Sequence, residues 1–239
     1  MATVLIIVDD EGDEGQVHPK QMLPGNLISP FLEQAIADTA SKRGDSERGE
    51  TISTIRRAGL SPSLLAGDPI VCPLTFDLPD FLMFAGRSTY LACQDVAALR
   101  RRVAQQFAYA VGEGDLWLPI VLTAHGPLYG EAIGRAASPA DTLLSAYQQP
   151  VHLGDRWRQP LYRLGQRLLT LLDAPPAVYL LQFGLQEAQL CFDRLFPFPA
   201  APAIASIHIQ TPNLFQCHWR CLTHQPILDL TILPPRSLQ

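Results

Sequence analysis

Two long stretches of the chain repeat apolar residues at helical spacing. The first predicts a helix over about 95–111, because its apolar positions recur every three or four residues and form one stripe. Those positions are Val96, Leu99, Val103, Phe107 and Ala110. The second predicts a helix over about 157–172, with its seam at Trp157, Leu161, Leu164, Leu168 and Leu171. We expect these two amphipathic helices to be the main helices of the fold.

Several shorter stretches have the patterns of strands. Residues 4–8 form a continuous run of Val, Leu and Ile, which is typical of a strand buried on both faces. Residues 116–124 read in the same way, and residues 177–183 and 188–192 resemble a hairpin joined by four residues. Because strands come in pairs with helices between only some of them, we predict an α+β fold with a mixed, largely antiparallel sheet.

Other segments complete the predicted organisation. Residues 27–40 and 51–60 are expected to be short helices, whereas 81–92, 204–210, 215–222 and 227–232 are expected to be extended. The polar segment at 41–50 predicts a mobile loop. No internal repeat or linker is visible, so we expect residues 1–239 to form a single domain.

Composition narrows the class of protein. Hydrophobic residues make up 47% of the chain and charged residues 17%, so a folded core can form. The net charge of −5 argues against nucleic-acid binding, which depends on neutralising phosphates. Five cysteines are an odd number for a disulfide framework, and no apolar run is long enough to cross a bilayer. We therefore expect a soluble, cytoplasmic protein with reduced thiols and no membrane insertion.

The segment 215–224 has the densest concentration of potential metal ligands. Cys217, Cys221 and His224 would share one helical face, and thiolates and imidazoles are ligands that zinc prefers. On a strand, however, the two thiols would lie roughly 13 Å apart, too far to share one ion. Alternation of apolar and polar residues favours the strand. Zinc at these three residues is retained as the alternative, and no other cofactor is expected.

A second candidate site follows the opening strand. Asp9, Asp10 and Glu11 come directly after the buried run, and carboxylates at the end of a strand can bind a hard cation. His125, in a turn before Gly126 and Pro127, is the histidine most suited to serve as an acid or base. A solvated acidic loop and a turn histidine bonded to backbone are the more common outcomes.

No catalytic motif is recognisable, so the leading hypothesis is non-catalytic. Arginines at 100–102 and 156–167 and the aromatic and proline residues of 192–199 suggest an interaction surface. We therefore expect an accessory protein, with a protein partner, that helps to assemble or regulate a larger complex. The alternative is a metal-dependent enzyme that uses the Cys217–His224 cluster or the Asp9–Glu11 carboxylates. A third hypothesis is a small-ligand binder with a pocket lined by Trp117, Tyr129 and Tyr179.

Overall fold

The computed structural model of the chain describes residues 3–10, 25–42, 51–136, 145–186 and 189–234. By its internal contacts the chain divides into two units, Met1–Ala85 and Gly86–Gln239. The number of independently folding domains stays a prediction. Of the expected mobile loop at 41–50, residues 43–50 lie outside the described residues, and 41–42 belong to the first helix.

The first unit contains a three-stranded parallel sheet in the order β2-β1-β3. Strand β1 (Thr3–Val8) lies in the middle and is buried from Val4 onward, as its continuous apolar run predicts. It pairs with β2 (Thr51–Arg56) on one side and β3 (Ile70–Pro73) on the other. The helix expected at 51–60 is therefore wrong, because the β-branched residues of 51–56 form a strand instead. Helix α1 (Gly25–Lys42) connects β1 to β2.

The second unit is built on a seven-stranded sheet in the order β4-β10-β9-β5-β7-β8, with β6 also paired to β5. All pairs are antiparallel except that of β10 with β4. The strands are β4 (Ala110–Val111), β5 (Leu116–Thr123), β6 (Gly126–Tyr129), β7 (Ala132–Arg135), β8 (Tyr147–Val151), β9 (Ala177–Gln186) and β10 (Gln189–Phe196). The hairpin predicted from residues 177–192 is thus the pair β9–β10. A separate two-stranded ribbon joins β11 (Gln210–Thr211) to β12 (Thr231–Ile232).

Four helices accompany this sheet: α2 (Arg87–Gln94), α3 (Val96–Phe107), α4 (Asp155–Leu171) and α5 (Leu214–Leu222). Helix α3 corresponds to the prediction at 95–111, and α4 to the prediction at 157–172. The general prediction of helices with a multi-stranded mixed sheet is confirmed. A description with two main helices is too simple, because α1, α2 and α5 are present as well.

Two expected strands are α-helices, and a third expected extended segment, 204–210, begins in the 3₁₀ helix Ala201–Ser206. Residues 87–94 form α2 within the predicted extended segment 81–92, and residues 214–222 form α5. At α5 the side chain of Asn213 accepts a hydrogen bond from the backbone of Gln216, and the Gln216 side chain accepts one from the backbone of Asn213. This capping box starts a helix. Leu214 and His218 are buried together with Cys217 and Trp219, so the burial does not follow the one-sided alternation on which the strand prediction rested.

Packing in the second unit relies on close approach of α4 to the sheet. A Cβ atom added at Gly165 would lie 2.5 Å from Cδ1 of Ile120 on β5. Glycine at this position lets the helix backbone lie against the strand, with Leu161, Leu164 and Leu168 buried beside it.

Among the described residues, no helix is long and apolar enough to cross a membrane.

Candidate functional site

Three side chains form a line across the middle of the large sheet. Arg194 on β10 lies directly opposite Gln182 on β9, and Gln182 lies opposite Trp117 on β5. Residues directly opposite each other in an antiparallel pair project from the same face of the sheet. All three therefore belong to one face, although they come from separate parts of the sequence.

Two more side chains extend this line towards the sheet edge. Arg135 on β7 pairs with Tyr147 on β8. The guanidinium carbon of Arg135 lies 5.7 Å from the centre of the Trp117 ring, and the Tyr147 ring meets Trp117 edge-on at 5.5 Å. We call Arg194, Gln182, Trp117, Arg135 and Tyr147 the sheet row.

The sheet row combines a buried floor with accessible polar groups. Trp117 is only 3% exposed, whereas Arg135 is exposed and Gln182 and Tyr147 are half-buried. The Arg194 side chain is 39% exposed. Burial raises the pKa of the Tyr147 hydroxyl, and the positive charge of Arg135 opposes that shift only in part, so the hydroxyl stays protonated and can donate a hydrogen bond.

A buried carboxylate holds Arg194 in place. Asp193 lies at an irregularity in the β9–β10 register and is 2% exposed. Its Oδ1 accepts hydrogen bonds from Nη2 of Arg100 at 2.5 Å and from Nε of Arg194 at 3.2 Å, and its Oδ2 accepts one from the backbone of Gly114 at 2.9 Å. Both carboxylate oxygens are therefore occupied. The terminal nitrogens of Arg194 have no partner among the residues that the structure describes.

The loop before β5 orients Gln182. Nε2 of Gln182 donates a hydrogen bond to the carbonyl oxygen of Gly114. A Cβ atom at Gly114 would lie 2.1 Å from the carbonyl carbon and oxygen of Phe183, so only glycine lets the loop lie this close to β9. The same residue thus anchors both Gln182 and Asp193.

Chemically, the sheet row suits an anionic ligand with a planar part. Guanidinium groups bind phosphates and carboxylates through parallel hydrogen bonds, and within the described ranges the guanidinium of Arg135 and the terminal nitrogens of Arg194 have no hydrogen-bond acceptor. The Gln182 amide and the Tyr147 hydroxyl add neutral hydrogen-bonding groups. Nε1 of Trp117 is buried without an acceptor in the described part of the chain, a situation that an acceptor on a ligand would relieve.

The fold of the chain is similar to that of solved proteins whose folds are ATP-grasp-like. It resembles glycinamide-RNase-transformylase T from Mycobacterium tuberculosis with a TM-score of 0.60 and 13% identity, covering 94% of this chain and 80% of that one. It resembles the ATPase subunit of phosphoribosylaminoimidazole carboxylase from Aquifex aeolicus with a TM-score of 0.61 and 11% identity, covering 95% of this chain and 79% of that one. No protein-family model matches the sequence, and no curated protein matches it.

These likenesses overturn the functional hypothesis drawn from the sequence. Both structures are of enzymes, and their fold extends over almost the whole chain. The expectation of a non-catalytic accessory or assembly protein is therefore wrong, as is the leaning against an enzyme. At such low identity the likeness shows the fold alone. A protein partner stays a prediction.

The Cys217–His224 cluster lies on α5 and just beyond its end. Cys217 and Cys221 are one helical turn apart, but His224 follows the helix with a φ of 54° and so leaves the helical face. Burial raises the pKa of the Cys221 thiol to about 12, and burial raises that of Cys217 as well. Within the described ranges, no group of three or more His, Cys, Asp or Glu side chains is placed to hold a metal ion. Zinc at this cluster stays a prediction.

Histidines of this region have different surroundings. Nδ1 of His218 accepts a hydrogen bond from the backbone N–H of Val178 at 3.2 Å. Val178 lies at the start of β9, before the first β9 residue that pairs with β10, which is Leu180. Burial lowers the pKa of His218 to about 3, so this imidazole is neutral and structural. His125, Cys221 and His224 instead line a shallow cavity of about 110 Å³. The expected acid or base therefore lines the same cavity as part of the cluster, which includes a thiol that burial keeps protonated.

The acidic segment after β1 makes structural hydrogen bonds. Oδ2 of Asp9 accepts from the backbone of Gly25 at 3.0 Å, and Oδ1 accepts from the Thr75 hydroxyl. Because Gly25 is the first residue of α1, Asp9 satisfies a free N–H of that helix. Asp10 accepts from the backbone of Ala58 at 2.8 Å. Glu11 lies outside the described residues.

The three aromatic residues expected to line one pocket do not share a face. Tyr129 and Tyr179 both lie opposite Ile120 on β5, whereas Trp117 is three residues away on the same strand. An odd separation along a strand places side chains on opposite faces. Only Trp117 belongs to the sheet row, whose other members the sequence analysis did not single out. The available signal was the presence of Gln182 and Arg194 within otherwise apolar strands.

Proposed function

We propose that this protein is an ATP-dependent enzyme that binds the phosphates of its nucleotide at the sheet row. The observation that carries this proposal is the pair of arginines with available donors, Arg135 and Arg194, on one face of the central sheet. The ATP-grasp-like fold supports a nucleotide as the ligand, because it is the fold of a carboxylase ATPase subunit. Fold and side-chain chemistry are independent reasons for the same conclusion.

Local charge favours an anion despite the acidic chain. The guanidinium groups of Arg100 and Arg194 share one buried carboxylate, that of Asp193, and Arg135 adds a further positive charge on the same face. Asp193 also fixes Nε of Arg194, so that side chain loses little further freedom when it binds a ligand. Such an arranged positive site attracts phosphate more strongly than mobile surface arginines would.

The neutral members of the row would orient the rest of the nucleotide. Tyr147 presents a hydroxyl donor, and Oε1 of Gln182 has no donor among the described residues, since the bond to Gly114 uses Nε2. The guanidinium of Arg135 lies over the ring of Trp117 in a cation–π contact, which positions it relative to the sheet. The row can thus distinguish a nucleoside phosphate from a simple anion.

Calorimetric titration with ATP, ADP and AMP tests the proposal. We expect ATP to bind, and we expect Arg194→Gln and Arg135→Gln each to weaken binding about tenfold, as loss of one charge-assisted contact implies. Arg163→Gln is the matched control, because Arg163 is exposed on α4 and does not belong to the row. Phosphate release from ATP, measured with the same variants, tests the enzymatic part.

Two outcomes would contradict the proposal. Absence of binding at millimolar nucleotide would reject the site, and so would an equal loss of affinity in Arg163→Gln. ATP that binds but stays intact in the presence of carboxylate and amine acceptors would reject the enzymatic part alone.

A further inference from the structure

We infer that the sheet row takes its nucleotide without a divalent cation, with arginine guanidinium groups neutralising the phosphates. This inference rests on the proposed nucleotide binding. Proteins usually hold the magnesium ion of a nucleotide through one or two carboxylates together with the phosphates. The sheet row instead consists of two arginines, an amide, a phenol and an indole, none of which is an oxygen-anion ligand.

The one carboxylate bonded to the row is not available for a cation. Asp193 accepts hydrogen bonds from Arg100, Arg194 and the backbone of Gly114, so each of its oxygens already has a protein donor. Turning either oxygen towards a metal ion would leave a buried donor without a partner.

Electrostatics points in the same direction. A divalent cation placed over the row would face Arg135 and Arg194, whose positive charges repel it at short range. The same two charges attract the phosphates that the cation would otherwise neutralise. Preorganised guanidinium groups and bound metal ions are alternative means of stabilising phosphoryl oxygens, and this site contains the first.

A comparison of ATP binding with and without magnesium tests the inference. Calorimetry on the full chain would be run in excess EDTA and again in millimolar MgCl2. We expect binding in EDTA to be roughly three- to tenfold tighter, because free ATP carries more negative charge than its magnesium complex. Inorganic triphosphate should compete in EDTA, and Arg194→Gln should weaken both ligands there about tenfold relative to Arg163→Gln.

The outcomes separate this inference from the proposed function. Binding that is equal or tighter in EDTA supports it. Binding that is weaker in EDTA, or needs Mg²⁺, overturns it while leaving nucleotide binding intact, and would direct attention to the exposed carboxylates Glu113 and Asp115 before β5. Absence of ATP binding under both conditions rejects the proposed function itself.

Discussion

The segment 217–224 and the sheet row differ in their residue types and in how accessible their reactive or ligand-binding groups are. The segment contains two thiols and two imidazoles, the groups most often found at metal and catalytic sites. Three of these groups, Cys217, His218 and Cys221, are buried. The sheet row contains no thiol or imidazole, but its two arginines have nitrogens without an acceptor among the described residues. Reactivity here depends on exposure and on existing hydrogen bonds more than on residue type.

His218 and Arg194 illustrate the difference at the level of single bonds. Each uses one nitrogen for a hydrogen bond within the second unit, His218 with Val178 and Arg194 with Asp193. Burial then keeps the imidazole neutral and enclosed. The Arg194 side chain is 39% exposed, and its terminal nitrogens have no partner in the part of the chain that the structure describes. The hydrogen bond of His218 therefore has a structural role, whereas that of Arg194 positions a side chain that can still bind a ligand.

The largest expected effect concerns thiol reactivity. Burial raises the pKa values of Cys72, Cys93 and Cys221 to about 12, so at pH 8 the native thiols should alkylate ~1000-fold more slowly than in the unfolded chain. Iodoacetamide labelling followed by peptide mass spectrometry, with and without urea, measures the ratio for each cysteine.

A reactive thiol would break the contrast between the two regions. Fast labelling of native Cys221, or stoichiometric zinc in the untagged protein that is lost in Cys217→Ser, would restore the segment as a chemical site. The cavity shared by His125, Cys221 and His224 would then be the place to look.

Removal of the carboxylate under the sheet row should give the next largest effect. Asp193→Ala leaves Arg100 and the Gly114 backbone without their acceptor, and breaking a buried pair costs about 3–5 kcal/mol. Because the Arg100 side chain is 27% exposed, we expect a loss of about 2–4 kcal/mol in the free energy of unfolding by urea. Asp115→Ala, at an exposed position nearby, should change it by less than about 0.5 kcal/mol. Equal losses would mean that Asp193 has no special role.

Sequence patterns predicted the elements whose periodicity is strong. The stripes of α3 and α4 and the apolar run of β1 each point to one structure, and the structure contains it. The strand prediction for 215–222 was wrong because alternation at 215, 217, 219 and 221 is also compatible with a helix that is buried on most sides. Asn213 and Gln216, three residues apart, were the overlooked signal for a helix start.

The sheet row could not be predicted in the same way. Its members come from five strands, β5 and β7 to β10, which are far apart in the sequence. Only the register of the sheet brings them together. Strand order depends on tertiary packing, which local propensity does not encode. A polar residue in a buried strand can mark a site, but it does not identify its neighbours.

Acidification should show the structural role of His218. Its pKa is lowered by burial to about 3 from an ordinary value of 6.5, so between these values the unfolded chain binds a proton that the native protein does not. The contribution of His218 is therefore complete above pH 6.5 and is lost as the pH falls towards 3. Between pH 6.5 and pH 5 the native protein should lose about 2 kcal/mol more than His218→Gln, as urea unfolding measures.

The matched variant for this experiment is His152→Gln, which removes an imidazole from an exposed position in the same unit. It should keep the pH dependence of the native protein. If His218→Gln kept it too, the imidazole would not be the buried neutral group that the Val178 hydrogen bond indicates.

The smallest expected effect on stability belongs to the sheet row itself. Arg135→Gln removes one cation–π contact at an exposed site, so the free energy of unfolding should fall by no more than about 0.5–1 kcal/mol. The same variant is expected to weaken ATP binding about tenfold. The side chains that stabilise the fold would then differ from those that bind a ligand. Asp193 would connect the two sets, because it is buried and also holds Arg194. A loss of stability at Arg135 as large as that at Asp193 would instead make the row part of the structural core, and the contrast with 217–224 would disappear.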